Sequence, residues 1–170
     1  MRPGNCQMIC ASFSPGGLFL STGSADHHVR VYMMDGKDGP VKVLEEEAHS
    51  ERVDSIQWGN SPQLRFISGS KDGTARLWEY SAGHWKNEVL RMTAEDGRTV
   101  HHNKEKDTEE PLRVTMVSWN SNDTRVITAV SDSTLCVWDP ATYNMIARLQ
   151  GHKVSSYDYL FIAWMRLYVL

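Results

Sequence analysis

Thr22-Gly23-Ser24-Ala25-Asp26-His27-His28-Val29-Arg30-Val31-Tyr32 is the first of three versions of one phrase in this chain. It returns as Ser68-Gly69-Ser70-Lys71-Asp72-Gly73-Thr74-Ala75-Arg76-Leu77-Trp78, and again as Thr128-Ala129-Val130-Ser131-Asp132-Ser133-Thr134-Leu135-Cys136-Val137-Trp138. In each copy a small hydroxyl residue stands four positions before an Asp, and an aromatic residue stands six positions after it. The three aspartates fall 46 and 60 residues apart, so the chain is a repeat, and its period must be settled before any site is read. Stacked copies of one unit build surface, so the default role is binding rather than catalysis.

Each phrase closes a longer unit. Upstream lie short alternating segments: Ile9-Cys10-Ala11-Ser12-Phe13, Val53-Asp54-Ser55-Ile56-Gln57-Trp58 and Val114-Thr115-Met116-Val117-Ser118-Trp119. Turn residues follow every one, at Ser14-Pro15-Gly16-Gly17, Asn60-Ser61-Pro62 and Asn120-Ser121-Asn122-Asp123. The spacing predicts a second strand over 18–22, 65–68 and 125–128, then the Asp turn and a third strand ending at Tyr32, Trp78 and Trp138. A fourth is expected over 41–44, 86–91 and 145–149. Four short antiparallel strands per unit make this an all-β chain with the arithmetic of β-propeller blades.

Composition narrows the function. A chain of 170 residues with a formal net charge of −3 does not carry a surface built to neutralise phosphates, so direct nucleic-acid binding is not expected. Three cysteines (Cys6, Cys10 and Cys136) are too few for a disulfide framework and lack zinc-knuckle pairing. They suit a reducing compartment, cytosol or nucleus. Met1-Arg2-Pro3-Gly4-Asn5 runs into strand alternation with no secretory signal visible.

The second unit carries a resemblance to the WD-repeat family: Ala48-His49 opens it, Ser68-Gly69-Ser70-Lys71-Asp72-Gly73 stands at its middle, and Trp78-Glu79 closes it. The third unit adds Trp138-Asp139, and Gly151-His152 follows. The resemblance implies a hydrogen-bonded network of His49, Ser68, Asp72 and Trp78 within that blade. Blade one keeps Thr22 and Asp26, with Tyr32 in place of Trp and no upstream His. Blade three keeps Thr128, Asp132 and Trp138, with Glu110 standing about where its His would be. Those two blades are expected to be less tightly cross-tied.

Further stretches, Gln7-Met8-Ile9-Cys10-Ala11-Ser12-Phe13-Ser14, Arg52-Val53-Asp54-Ser55-Ile56-Gln57 and Val126-Ile127-Thr128-Ala129-Val130, are similar to the bromodomain and WD-repeat-containing proteins. This likeness implies a partial propeller of about three blades, not closed, missing blades on both sides and both bromodomains. The expected divisions are blade one over 1–46, blade two over 47–93, a polar insertion loop over 94–111, blade three over 112–150, and an aberrant apolar tail over 151–170. The insertion is almost without apolar residues and is expected to be disordered. After Lys153 the likeness stops: Ser156 stands where a β-branched strand residue is expected, and the run from Tyr157 to Leu170 has no turn. That run is too short to span a membrane. It reads as a strand or helix docking on the last blade, or, the reading we take, as a frame-shifted or intron-derived ending.

Other constellations yield to simpler readings. His27-His28 falls in the tight turn of the phrase, and His101-His102 sits in a mixed-charge run, so neither pair is expected to hold a metal. His49, Ser68 and Asp72 list the residues of a hydrolase triad, but Ser68 lies inside an alternating strand without a nucleophile elbow. No cofactor, membrane or small-molecule substrate is expected. The expected partners are proteins or peptides, and the resemblance implies chromatin proteins, a nuclear location, and roles in transcription, cell shape and cytoskeletal organisation. The alternative is a generic adaptor or substrate receptor of a cullin–RING ubiquitin ligase. For that role the family resemblance implies a Trp-Asp-x-Arg ending, and Trp138-Asp139-Pro140-Ala141 has Ala141 in the Arg position.

Overall fold

The computed structural model describes residues 7–94, 97–103 and 106–150. Among them are fourteen strands and one short 3-10 turn at Pro15–Gly17. The first sheet runs β1 (Met8–Phe13), β2 (Phe19–Ser24), β3 (His28–Met33) and β4 (Val41–Glu47). The second runs β5 (Val53–Trp58), β6 (Arg65–Ser70), β7 (Thr74–Ser81) and β8 (His84–Arg91). After a hairpin of β9 (Val100–Asn103) and β10 (Thr108–Pro111), the third runs β11 (Val114–Trp119), β12 (Val126–Val130), β13 (Leu135–Trp138) and β14 (Met145–Leu149). Each four-stranded sheet is antiparallel and pairs in chain order, the meander of one blade.

The three blades share irregularities as well as strands. In each, the pairing of the innermost strand with the second shifts at its start, between Met8 and Cys10, Val53 and Ser55, and Val114 and Met116. An extra residue there bends the strand and increases its twist. The registers make Phe13, Trp58 and Trp119 equivalent, opposite Leu20, Phe66 and Val126. By the same pairing Gly23, Gly69 and Ala129 are equivalent.

The core lies between blades rather than within them. One cluster joins Val29 and Val31 of blade one to Val53, Ile56, Trp58, Phe66 and Trp78 of blade two. The other joins Ile67, Ala75, Leu77 and Leu90 of blade two to Val114, Val117, Trp119, Val126 and Trp138 of blade three. β5 packs against both β1 and β11. Rings stack at the first interface, Phe19 of blade one on Trp58 of blade two at 6.0 Å, and behind it Phe66 stacks on Trp78 within blade two at 5.4 Å. Glycine sets the approach of the backbones. A Cβ on Gly23 would lie 2.5 Å from Val53 Cγ1, and one on Gly69 would lie 2.6 Å from Val114 Cγ1.

Residues 97–103 and 106–111 of the insertion depart from the expected disordered loop. β9 and β10 pair Asn103 with Thr108 through to Val100 with Pro111. Composition misjudged this segment because its order does not come from apolar side chains of its own. It is clamped by fully buried Met92 on one side and Leu112 on the other, and the Leu112 N–H donates to Thr99 O at 2.9 Å. Its charges pair with one another, Arg98 with Glu109 at 2.9 Å and Lys106 of the turn with Glu110 of β10 at 2.8 Å. The readings of Cys6, Gly151-His152 and the apolar run to Leu170 fall outside the described residues.

Candidate functional site

The turns between the second and third strands of the blades lie along one edge, and each is hung on the residue that precedes an innermost strand. Ala25 N–H donates to Gln7 O at 2.8 Å, Lys71 to Arg52 O at 3.1 Å, and Ser131 to Arg113 O at 3.0 Å. A left-handed residue turns the corner in every copy: His27 (φ 70°), Gly73 (φ 80°) and Ser133 (φ 66°). Glycine at 73 is required twice over, because a Cβ there would sit 2.7 Å from Leu112 O.

In blade two the turn is anchored by a buried relay. Trp78 Nε1–H donates to Ser68 Oγ at 3.0 Å, and Ser68 Oγ lies 3.0 Å from His49 Nε2. His49 Nδ1 in turn lies 3.0 Å from Asp72 Oδ2. A neutral imidazole carrying its proton on Nδ1 satisfies the whole chain, accepting from Ser68 and donating to Asp72. The other carboxylate oxygen of Asp72 receives the Thr74 N–H and hydroxyl at 2.8 and 2.7 Å. Burial alone would raise the Asp72 carboxyl, but the hydrogen bonds from His49 and Thr74 outweigh it and hold the group well below the usual carboxylate range.

The other two blades solve the same problem with arginine. In blade one Arg30 Nη2 lies 2.7 Å from Asp26 Oδ2, and Ser24 Oγ donates to Asp26 Oδ1. Thr22 is buried on β2 and Tyr32 half-buried on β3; a phenol in place of an indole removes the ring N–H. Arg76 occupies the position of Arg30 in blade two, where His49 already serves the Asp, and it donates to Asn87 Oδ1 at 2.6 Å instead. In blade three Trp138 Nε1–H donates to Thr128 Oγ1 at 3.0 Å, and Arg148 Nη1 lies 3.5 Å from Asp132 Oδ2.

Glu110 does not stand in the histidine position of blade three. That position belongs to Met92. Its N–H donates to Gly73 O at 3.0 Å, as the His49 N–H donates to His27 O at 3.3 Å, and Thr128 Oγ1 lies 3.3 Å from Met92 Sδ. The insertion therefore enters after the equivalent of His49, not before it, and counting back from Asp132 by the blade-two spacing stops short, inside the insertion. Glu110 instead faces Lys106 and Arg113, at 2.8 and 2.9 Å.

A further polar tie crosses between blades and carries no signature in the repeated phrase. Asp123, in the turn after β11, is buried and accepts from the N–H groups of Asn60 and Ser61 at 2.8 and 2.6 Å. Burial would raise this carboxyl too, but those two N–H groups pull it below its ordinary value. The only sequence signal was that both segments are Asn/Ser/Asp turns.

The chemistry available along the turn edge is recognition. Ser68 is fully buried in β6 with its hydroxyl committed to Trp78 and His49, so no substrate reaches it. Among the described residues no three His, Cys, Asp or Glu side chains converge on a metal position. His28 Nδ1 lies 2.7 Å from Asp26 O, and His101 Nε2 lies 3.3 Å from Ser131 Oγ. What the edge presents outward is a mixed set of charges, Arg52 with Asp54 at 2.7 Å and Lys71 with Glu51 at 3.8 Å, beside the anchored hairpin.

The family model described as WD domain, G-beta repeat, matches residues 3–32, 39–79 and 101–139. The chain belongs to the WD-repeat family. This WD-repeat chain is 32% identical over 93 residues to the Denticleless protein homolog of Danio rerio, covering 54% of this chain and 13% of the relative. It is 26% identical over 164 residues to Protein HIR1 of Cryptococcus neoformans, 84% of this chain and 17% of the relative. It is 34% identical over 73 residues to the E3 ubiquitin-protein ligase COP1 of Pisum sativum, 42% of this chain and 10% of the relative. The chain thus spans less than a fifth of the length of each of these relatives.

Proposed function

We propose that this WD-repeat chain is a non-enzymatic scaffold that presents the turn edge and the β9–β10 hairpin to a protein partner. The observation that carries the reading is where the reactive-looking residues are spent. His49, Ser68, Asp72 and Trp78 are consumed in holding a turn, while the surface pairs Arg52–Asp54 and Lys71–Glu51 present mixed charge along the same edge. In its finer form the partner is chromatin protein and the location nuclear, the chain serving as the WD-repeat part of a bromodomain protein that regulates transcription, cell shape and cytoskeletal organisation. The stretches 7–14, 52–57 and 126–130 support that form.

The test is fractionation of tagged full chain from cells, followed by identification of what a chemical cross-linker joins to it. Cross-links from Lys71 and Lys106 to histones or to chromatin-bound proteins in a nuclease-released fraction are expected. Recovery in the soluble cytosolic fraction alone, without those cross-links, overturns the nuclear form. A second reading is a substrate receptor or adaptor of a ubiquitin ligase, supported by the similarity to a relative whose name is that of such a ligase. It predicts cross-links to a cullin and its adaptor and none to histones. The blade ending at Trp138-Asp139-Pro140-Ala141 lacks the Arg that role would use, so the chromatin reading stands first.

A further inference from the structure

Blade three carries its arginine one strand further out than its neighbours do. Arg30 and Arg76 each stand four residues after the turn Asp, on the third strand, opposite Glu45 and Val89 of the fourth. In blade three that third-strand position is Cys136, and the arginine is Arg148 of β14, opposite it. Cys136 is fully buried in the cluster shared with blade two. Arg148 therefore lies on the sheet face turned toward blade two, on the outermost strand.

The move leaves Arg148 with nitrogen to spare. Arg30 lies 2.7 Å from Asp26 Oδ2 and 2.7 Å from Glu45 Oε1. Arg148 engages through Nη1 alone, 3.5 Å from Asp132 Oδ2 and 3.5 Å from Thr134 Oγ1. Among the described residues its Nε and Nη2 have no acceptor, although the side chain is only 13% exposed. Those two nitrogens share one edge of the guanidinium, the fork that a carboxylate fills with two parallel hydrogen bonds.

The same cation lines a cavity of about 540 Å³ together with Thr93, Ala94, Gly97, Met145 and Gln150. It lies where the chain leaves blade two for the β9–β10 hairpin. Between blades one and two the corresponding step is closed, because the Ser50 N–H donates to Asp72 Oδ2 at 3.1 Å. Between blades two and three Thr93 follows Met92 in the place of Ser50, and Asp132 Oδ2 faces Arg148 instead. The chain turns away here: Ala94 N–H donates to Arg98 O at 2.6 Å, and Gly97 N–H to Ala94 O at 2.9 Å. A Cβ on Gly97 would meet nothing within 4 Å, so the turn leaves open space beside it. Met145, opposite Trp138 in register and 38% exposed, gives the cavity an apolar wall.

We propose that this cavity receives an acidic side chain of the protein partner, its carboxylate on the Nε and Nη2 edge of Arg148. The methylene stem of that side chain lies along Met145, whose flexible thioether adapts to it. The inference rests on the scaffold reading above and names the chemistry by which one part of the surface reads a partner.

Two tripeptides test it on the full, 15N-labelled chain: acetyl-Ala-Glu-Ala-amide and its Gln counterpart. Saturable shifts of the Arg148 Nε–H and of the Thr93 and Gly97 amides are expected with the Glu peptide. The Gln peptide is expected to bind about tenfold more weakly, the loss of one charge-assisted pair. Two changes on the wall leave the Arg148–Asp132 pair in place. Met145→Glu supplies a carboxylate in cis and should abolish the shifts, whereas Met145→Lys adds a cation and should tighten binding. Near-ultraviolet circular dichroism of Trp138 confirms that both variants keep the blade. Equal binding of the two peptides, or binding indifferent to both Met145 changes, overturns the proposal. Absence of any shift with the Glu peptide overturns this inference alone, because the cross-links expected from Lys71 and Lys106 do not depend on the cavity.

Discussion

Asp72 collects the Thr74 N–H and hydroxyl, the His49 ring and the Ser50 N–H, the last at 3.1 Å. Every donor is backbone or near-backbone except His49, which is why the imidazole and its support from Ser68 and Trp78 matter to one turn. Asp72→Asn keeps the shape and loses the charge, and should cost about 1–3 kcal/mol at neutral pH. The sign with pH follows from the depressed carboxyl. Stability held by the ionised Asp72 is present above the unfolded value, about pH 4, and drains away as pH falls toward the lower folded value. Urea melts of both proteins between pH 7 and pH 2 should therefore converge in acid; a constant gap would show that the charge is not what stabilises. A network of His49, Ser68, Asp72 and Trp78 was what the resemblance to the WD-repeat family implied, rather than something the spacing alone dictates. The arginine substitutes were not legible, because the position of Arg30 recurs as Arg76 in blade two without the same use, and Arg148 reaches Asp132 only through the pairing of β13 with β14.

At the scale of elements, strand and turn positions were readable because period-two alternation and Asn/Gly/Pro turns agree with the fold in every blade. The histidine position of blade three and the order of the insertion were not. Both depend on Met92 and Leu112 being swallowed by a neighbouring sheet, a fact no local window contains. Leu112→Ala should cost about 2–4 kcal/mol and release the hairpin. Limited trypsin digestion reads that release: slow cleavage at Arg98 and Lys106 in the unmodified chain, rapid cleavage in the variant. Equal rates would mean that the hairpin is not held by this anchor. The blade junction makes a second claim. Gly69→Ala drives a methyl into Val114 and Val117 and should destabilise by about 1–3 kcal/mol, with much of the loss recovered by adding Val114→Ala. Additive losses in that double-mutant cycle would place the strain elsewhere.

Among the described residues the blades form a stack in which blade two is enclosed by a neighbour on both faces and blades one and three each pack on blade two. Repeat proteins of this kind draw stability from each interface in turn, so the middle unit should open last. Fully buried Val53, Phe66, Ile67 and Trp78 belong to it, whereas Met8 and Phe13 of β1 and Ile146 and Leu149 of β14 lie open. The order of blades was legible in the repeat; that the core lies between them follows only from the registers. Native-state hydrogen exchange resolved by strand tests this most directly. Slow exchange is predicted for β5, β6 and β7, intermediate for β2, β3, β11 and β12, and fast for β4 and β14. Uniform exchange across the three sheets, or a middle sheet no slower than the outer two, would contradict the account.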